Sequence, residues 1–204
     1  MKYKTVVIDP PWPISQIGGV AKSLSSEGTD RKPHARRNRF KTQPYSSMSL
    51  EDILQYPIND YADDESLLFL WVTNSKSKKE KKPIIQFGFE LLESWGFTYH
   101  QLITIDKVSA YAFWSPIATR TEHCIVAYRG NFNNLTQKQN YKMENLIVMD
   151  YQNKHSQKPV KFYQLLREWT PEPRIDLFAR QAHYGFDGWG NEYVGEGPLM
   201  EFLE

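Results

Sequence analysis

An aspartate, two prolines and a tryptophan, Asp9-Pro10-Pro11-Trp12, close the apolar run Val6-Val7-Ile8. Such a turn suits the alkylation of a planar amino group. The lone pair of an exocyclic amine is delocalised into its ring, so attack on a methyl group requires the nitrogen to rehybridise. Two acceptors that bond its two N–H groups favour that change. An ionised Asp9 only accepts hydrogen bonds, and the Pro10 carbonyl can be the second acceptor. Pro10 and Pro11 fix φ and remove two N–H donors, which stiffens the turn and predicts free carbonyls. Trp12 offers a face for a base extruded into a pocket. The plainer alternative is a strand ending in a proline-rich turn with Trp12 in the core.

Charge is unevenly distributed. The chain carries a net charge of +1, yet Lys22 to Lys41 holds Lys22, Arg31, Lys32, Arg36, Arg37, Arg39 and Lys41 against two acids, a local excess of +5. Lys76 to Lys82 adds five lysines against Glu80, an excess of +4. Charge runs are commonly solvated faces. The first run follows the Asp-Pro-Pro-Trp turn closely, which favours a phosphate backbone as its partner. The second is equally well read as a plain loop. Cys124, the one cysteine, excludes a disulfide framework and a cysteine-based zinc site, and its apolar neighbours predict a buried thiol. His123 reads as a structural histidine with no metal cluster around it.

The elements that must position these residues follow from periodicity. At 204 residues, 40% of them hydrophobic, the chain is expected to form one domain spanning residues 1–204. No apolar run approaches a membrane span and no signal peptide precedes the first strand, which predicts an intracellular, cytoplasmic protein. Strands are predicted at Lys4–Ile8, Leu67–Val72, Tyr99–Ile105, Cys124–Tyr128 and Arg174–Phe178. Ser49 and Asp52 form a capping-box-like start for a helix of two turns ending at Tyr56. Pro83 opens a second helix stopped by Gly96, and Ser156 and Pro159 open a third. Strands alternating with helices predict an α/β fold, a mostly parallel sheet covered on both faces. Two aperiodic stretches, at about 13–46 and 131–157, are long enough to be functional loops, the first a candidate lid over Asp9.

Further motifs occur in order: Phe69-Leu70-Trp71-Val72-Thr73-Asn74, Thr121-Glu122-His123-Cys124, His155-Ser156-Gln157-Lys158-Pro159, Ile175-Asp176-Leu177-Phe178-Ala179-Arg180 and Gly188-Trp189-Gly190-Asn191-Glu192. With Asp-Pro-Pro-Trp leading them, the chain resembles, over about residues 4 to 194, the N6-adenine methyltransferases that include the catalytic subunit of the eukaryotic mRNA enzyme. Bacterial and phage DNA methyltransferases of this motif order are similar.

That resemblance implies a Rossmann-like sheet binding S-adenosylmethionine, with permuted order: catalytic strand first, cofactor strand last. It implies that Asp9, Pro10, Pro11, Trp12 and Tyr45 bound the acceptor pocket, Asp9 also touching the methionine end of the cofactor. Lys158 would pair with the methionine carboxylate, Phe178 would pack near the cofactor, and Arg180 and Asn191 would bond its ribose. Asp176 and Glu192 stand where the family often has glutamate and glutamine. His183 takes a histidine role near the cofactor on this reading, or is a surface histidine. Nucleic acid is the implied partner, contacted by Arg31, Lys32, Arg36, Arg37, Arg39 and Lys41, with DNA favoured over RNA. A homodimer or a second methyltransferase-like subunit is a candidate partner. Competing expectations are another planar-amine acceptor (cytosine N4 or protein glutamine) and a non-catalytic nucleic-acid-binding subunit.

Overall fold

The computed structural model describes residues 1–14, 47–107, 119–136, 143–149, 158–190 and 193. Its centre is a sheet of seven strands: β1 (Tyr3–Ile8), β2 (Ala62–Val72), β3 (Thr98–Lys107), β4 (Thr121–Arg129), β5 (Leu146–Met149), β6 (Arg174–Leu177) and β7 (Asp187–Trp189). Their order across the sheet is β5-β3-β4-β2-β1-β6-β7. Strand β4 runs antiparallel to both neighbours, and every other pairing is parallel. The sheet is therefore mostly parallel, as expected, with one reversed strand.

Helices cover both faces. On one face α1 (Leu50–Leu54) and α3 (Ile84–Trp95) pack Ile53, Phe87, Leu91 and Trp95 against Val6, Ile8, Leu68 and Leu70. On the other, α4 (Val160–Trp169) packs Phe162, Tyr163 and Leu166 against Val7, Leu67, Phe69 and Trp71. Strands β1, β2 and β4 carry residues of both clusters, and their central segments read as continuous apolar runs because neither face is wet. The α1 start is the expected capping box of Ser49 and Asp52, though the helix ends at Leu54, just before Pro57. A four-residue helix, α2 (Ile58–Tyr61), then leads into β2. Gly96 stops α3 in the left-handed conformation, φ 73°, which glycine adopts without steric cost. No helix among the described residues is long and apolar enough to cross a membrane.

Two strands depart from the sequence expectation. β5 lies inside the stretch read as an aperiodic loop, and its four residues are too few to declare a period. Only pairing with β3 reveals the alternation, with Ile147 buried and Leu146 and Val148 half-exposed. β7 contains Asp187 and Gly188, both poor strand formers, and is a strand because β6 supplies the partner. Strand β2 also starts five residues before the expected Leu67, since Asp63, Asp64 and Glu65 hide its polar beginning.

Candidate active site

Strand β1 lies between β2 and β6, the point at which successive strands depart to opposite sides, and ligands bind beyond the C-terminal ends of strands at such a point. Asp9 is the first residue past that end, and its N–H donates to the Leu177 carbonyl of β6 at 3.3 Å. Side chains alternate along strands. Val7, Phe69, Cys124 and Ile105 all face α4, so Asp9, Trp71, Glu122 and Lys107, each two residues farther toward this edge, continue on that face. Asp176, paired with Val7, joins them.

Lys158, two residues before α4, reaches into this row. Its Nζ lies 3.2 Å from Asp9 Oδ2 and 3.4 Å from Glu122 Oε2. It also sits 4.2 Å from the centre of the Trp71 ring. Only 14% of the Lys158 side chain is exposed. Burial alone would lower its pKa, but Asp9 and Glu122 outweigh burial and hold it raised. Burial likewise works to raise Glu122, yet Lys158 and Lys107 bring it down to about 2. Lys107 closes the row by pairing with Glu122.

Beside this row, Asp176 accepts from the Tyr163 hydroxyl at 2.8 Å, and His183 Nε2 lies 3.9 Å from the same carboxylate. The His183 ring stacks on Tyr163 at 3.4 Å and its side chain is 8% exposed, so it is not a surface histidine. Burial pushes Asp176 up to about 7, with Asp9 adding to the rise and the Tyr163 bond and Lys158 opposing it. An acid with a raised folded pKa contributes stability that is complete below its unfolded pKa and lost as pH climbs through the folded value. Asp176→Asn keeps an acceptor for Tyr163 and removes the titration. Relative to that variant, the wild type should lose on the order of a few kcal/mol between about pH 4 and 7. Urea unfolding of both proteins at several pH values measures this, and parallel stability curves would sink the assignment.

The turn itself differs from expectation in two respects. Trp12 is a core residue, 4% exposed, with its indole N–H donated to the Trp71 carbonyl at 3.1 Å and its ring edge-to-face with Phe87. It anchors the turn and presents no open face for a base, because filling the gap above α3 buries more apolar surface than leaving the ring in solvent. The Pro10 carbonyl is not wholly free either, since it accepts the Trp12 N–H at 2.7 Å. A carbonyl has two lone pairs, so one remains for a ligand. Pro11 accepts the Met48 N–H at 3.0 Å, so the chain leaves this turn near Ile14 and returns to it at Met48.

Phe178 follows the end of β6 with φ 61°, a conformation uncommon for a non-glycine residue. Its ring centre is 4.9 Å from Tyr56 and 5.9 Å from Trp189. Gly190 runs so close behind it that an added Cβ would lie 2.3 Å from the Ala179 carbonyl oxygen. Arg180 follows, half-buried. Asn191, Glu192, Tyr45 and the basic residues Arg31, Lys32, Arg36, Arg37, Arg39 and Lys41 lie outside the described residues.

The sequence reading gave no site role to Glu122, Lys107, Trp71 or Tyr163, the last being expected only as a core contact of its helix. The usable signal for Glu122 is a carboxylate opening an otherwise apolar strand, which matters only once β4 is known to run in reverse and start at this edge. His123, its neighbour, points to the other face between Thr104 and Thr121. Burial lowers its pKa despite Glu122, which suits a structural role. Cys124 is fully buried and its thiol is pushed well up by burial, so it is no nucleophile. No group of metal-ligating side chains occurs among the described residues.

A mostly parallel α/β sheet with an acid-and-lysine constellation at its switch point is an arrangement consistent with the Rossmann-like S-adenosylmethionine-dependent methyltransferases. The sequence matches the MT-A70 family over residues 3–192. The chain belongs to the MT-A70 family of S-adenosylmethionine-dependent N6-adenine methyltransferases. It is 25% identical over 195 residues to the Type II methyltransferase M.MunI of a Mycoplasma species, covering 94% of this chain and 78% of that enzyme. It is 25% identical over 182 residues to the fruit-fly N(6)-adenosine-methyltransferase MT-A70-like protein, covering 88% of this chain and 24% of that one. With the human N(6)-adenosine-methyltransferase catalytic subunit METTL3 the identity is 24% over 200 residues, 95% of this chain and 29% of the relative. The chain thus spans most of the Mycoplasma enzyme and under a third of the two animal proteins.

The donor set fits S-adenosylmethionine. Lys158 is a buried cation for a carboxylate, Asp9 and Glu122 are acceptors for an ammonium group, and Trp71 Nε1 is a buried donor without a partner among the described residues. The positive φ at Phe178 and the close packing of Gly190 against Ala179 fix the course of the chain at the end of β6.

Proposed function

We propose that this protein methylates N6 of adenine within a polynucleotide, and that RNA is the acceptor its relatives favour. The observation that carries the reading is Asp9, placed at the switch point and held by the buried Lys158. S-adenosylmethionine supplies an electrophilic methyl group when bound. Asp9 accepts one N–H of the target amine and the second lone pair of the Pro10 carbonyl takes the other, which directs the nitrogen lone pair out of the ring plane. Lys158 keeps the Asp9 carboxylate in one orientation. Catalysis then rests on positioning and on acceptors already aligned with the charge that develops on nitrogen. No covalent intermediate on the protein is required.

Two of the relatives described above are named for adenosine, the ribonucleoside, which moves the sequence expectation of DNA toward RNA. DNA stays the second reading on one observation: the chain covers 78% of the length of a Type II methyltransferase. Tritiated methyl transfer offered RNA, single-stranded DNA and duplex DNA in parallel tests both. The expected product is N6-methyladenosine in RNA, identified after digestion. Label confined to DNA would select the second reading, and label in no polynucleotide would overturn the proposal. A homodimer or a second methyltransferase-like subunit is proposed alongside, and sedimentation with and without the acceptor checks it.

A further inference from the structure

We propose that the lysine loop Lys76–Lys82 is a phosphate-binding rim of the active site, taking the backbone of the polynucleotide that delivers the target adenine. This rests on the polynucleotide reading above and adds a surface to it. The loop follows β2 at the same sheet edge as Asp9, beginning four residues beyond Val72. It is not a floppy excursion. Ser77 N–H donates to the Lys82 carbonyl at 2.8 Å, Lys82 N–H to Ser77 Oγ at 3.2 Å, and Ile84 N–H to the Ser75 carbonyl at 2.9 Å. Ser77 is buried at its root.

The loop is also fastened to the catalytic turn. Ile14 pairs with Ser77 in a β-bridge, and Lys78 N–H donates to the Pro13 carbonyl at 2.7 Å. Ile14 is the fifth residue after Asp9, so the bridge lies within about 18 Å of Asp9 along the most extended path. Along one strand of a duplex a phosphate recurs about every 3.4 Å of helix axis, so several phosphates around a target base fall inside that radius.

The side chains divide by role. Lys82 pairs with Glu90, and Lys81, at φ 58°, donates to the Lys78 carbonyl at 2.6 Å, so these two shape the loop. Glu80 is engaged by its own backbone N–H and by Ser77. Lys76, Lys78 and Lys79 are exposed on this fixed turn. Three like charges held within four residues repel one another over distances shorter than the ~8 Å screening length at physiological salt. An anionic polymer passing the rim relieves that repulsion and releases its own counterions. A solvated run needs no attachment to Pro13 and Ile14, whereas a rim that must meet the strand at a set distance from Asp9 does.

The test is the triple variant Lys76→Ala, Lys78→Ala and Lys79→Ala, which leaves the loop's backbone bonds and Lys81 intact. Fluorescence anisotropy with labelled adenine-containing RNA and duplex DNA is followed across a salt series, with S-adenosylmethionine binding by calorimetry as the folding control. The variant should keep cofactor affinity and show a salt slope shallower by about 2, at roughly 0.7–0.9 per lost phosphate contact. A single Lys79→Ala substitution should make the slope shallower by about one contact's worth, roughly 0.7–0.9, which keeps the inference testable if the triple variant misfolds. Unchanged slope and affinity in both variants, with the wild type binding normally, would overturn the rim and leave the polynucleotide reading intact. A wild type that binds neither nucleic acid would overturn both.

Discussion

Asp9→Ala is expected to lower methyl transfer by at least about a thousandfold while leaving measurable cofactor binding, since removing one preorganised acceptor or donor at a reacting centre costs on the order of 10²–10³. Asp9 acts twice, as acceptor for the target amine and as a partner of Lys158 at 3.2 Å, so its loss misplaces a second group as well. Cofactor binding should persist because Glu122, still 3.4 Å from Lys158, keeps that ammonium near its place. Asp9→Asn separates the two roles. The amide oxygen still accepts, but the amide nitrogen is a donor with nothing to donate to at an amine, and the ion pair is gone. Its rate should fall between wild type and alanine. Single-turnover transfer with saturating cofactor measures the chemical step directly. An alanine variant retaining a tenth of the wild-type rate would remove Asp9 from the reacting centre.

How far the sequence foretold this site depends on which strand a residue occupies. Asp9 was legible because it directly follows the apolar run of β1, whose C-terminal end faces the ligand edge, whereas Asp176 was reached only through its motif. Lys158 was found through its motif, and Pro159 marks the helix start behind it. Glu122 was passed over because it opens a strand instead of ending one. Only the reversal of β4 carries its first residues to the catalytic edge, and direction is a property of pairing across the sheet, which no local pattern encodes. Trp12 shows the converse difficulty. A tryptophan beside a reactive carboxylate suits stacking and suits burial equally, and the choice is made by Phe87 and the Trp71 carbonyl, both more than fifty residues distant in sequence. The Pro10 carbonyl was read as free because proline cannot donate to it, but the donor is Trp12, the next residue with an N–H.

Lys158→Met should weaken S-adenosylmethionine binding by about 10- to 100-fold, matching the ~1.5–3 kcal/mol of a hydrogen bond to a charged group. It should also destabilise the fold, because Asp9 and Glu122 would then face each other without the cation between them. Removing one partner of a buried ion pair costs about 3–5 kcal/mol. The cost here should be smaller, since Asp9 and Glu122 are 20% and 26% exposed and Lys107 still pairs with Glu122. Acid sensitivity supplies an independent readout. Glu122, brought down to about 2 from an ordinary 4.5, contributes stability that is present above 4.5 and is lost as pH falls toward 2. In the methionine variant that loss should shrink and be complete at a higher pH, because the folded pKa of Glu122 moves back toward 4.5 once one of the two lysines opposing its burial is gone. Lys107→Ala should produce the same acid shift with cofactor affinity nearly unchanged, since Lys107 touches Glu122 and not Asp9. Calorimetric binding and urea melts across the acid range distinguish the two lysines. A Lys158→Met protein with unaltered cofactor affinity but reduced stability would make Lys158 a structural cation and leave the methionine carboxylate to be held elsewhere.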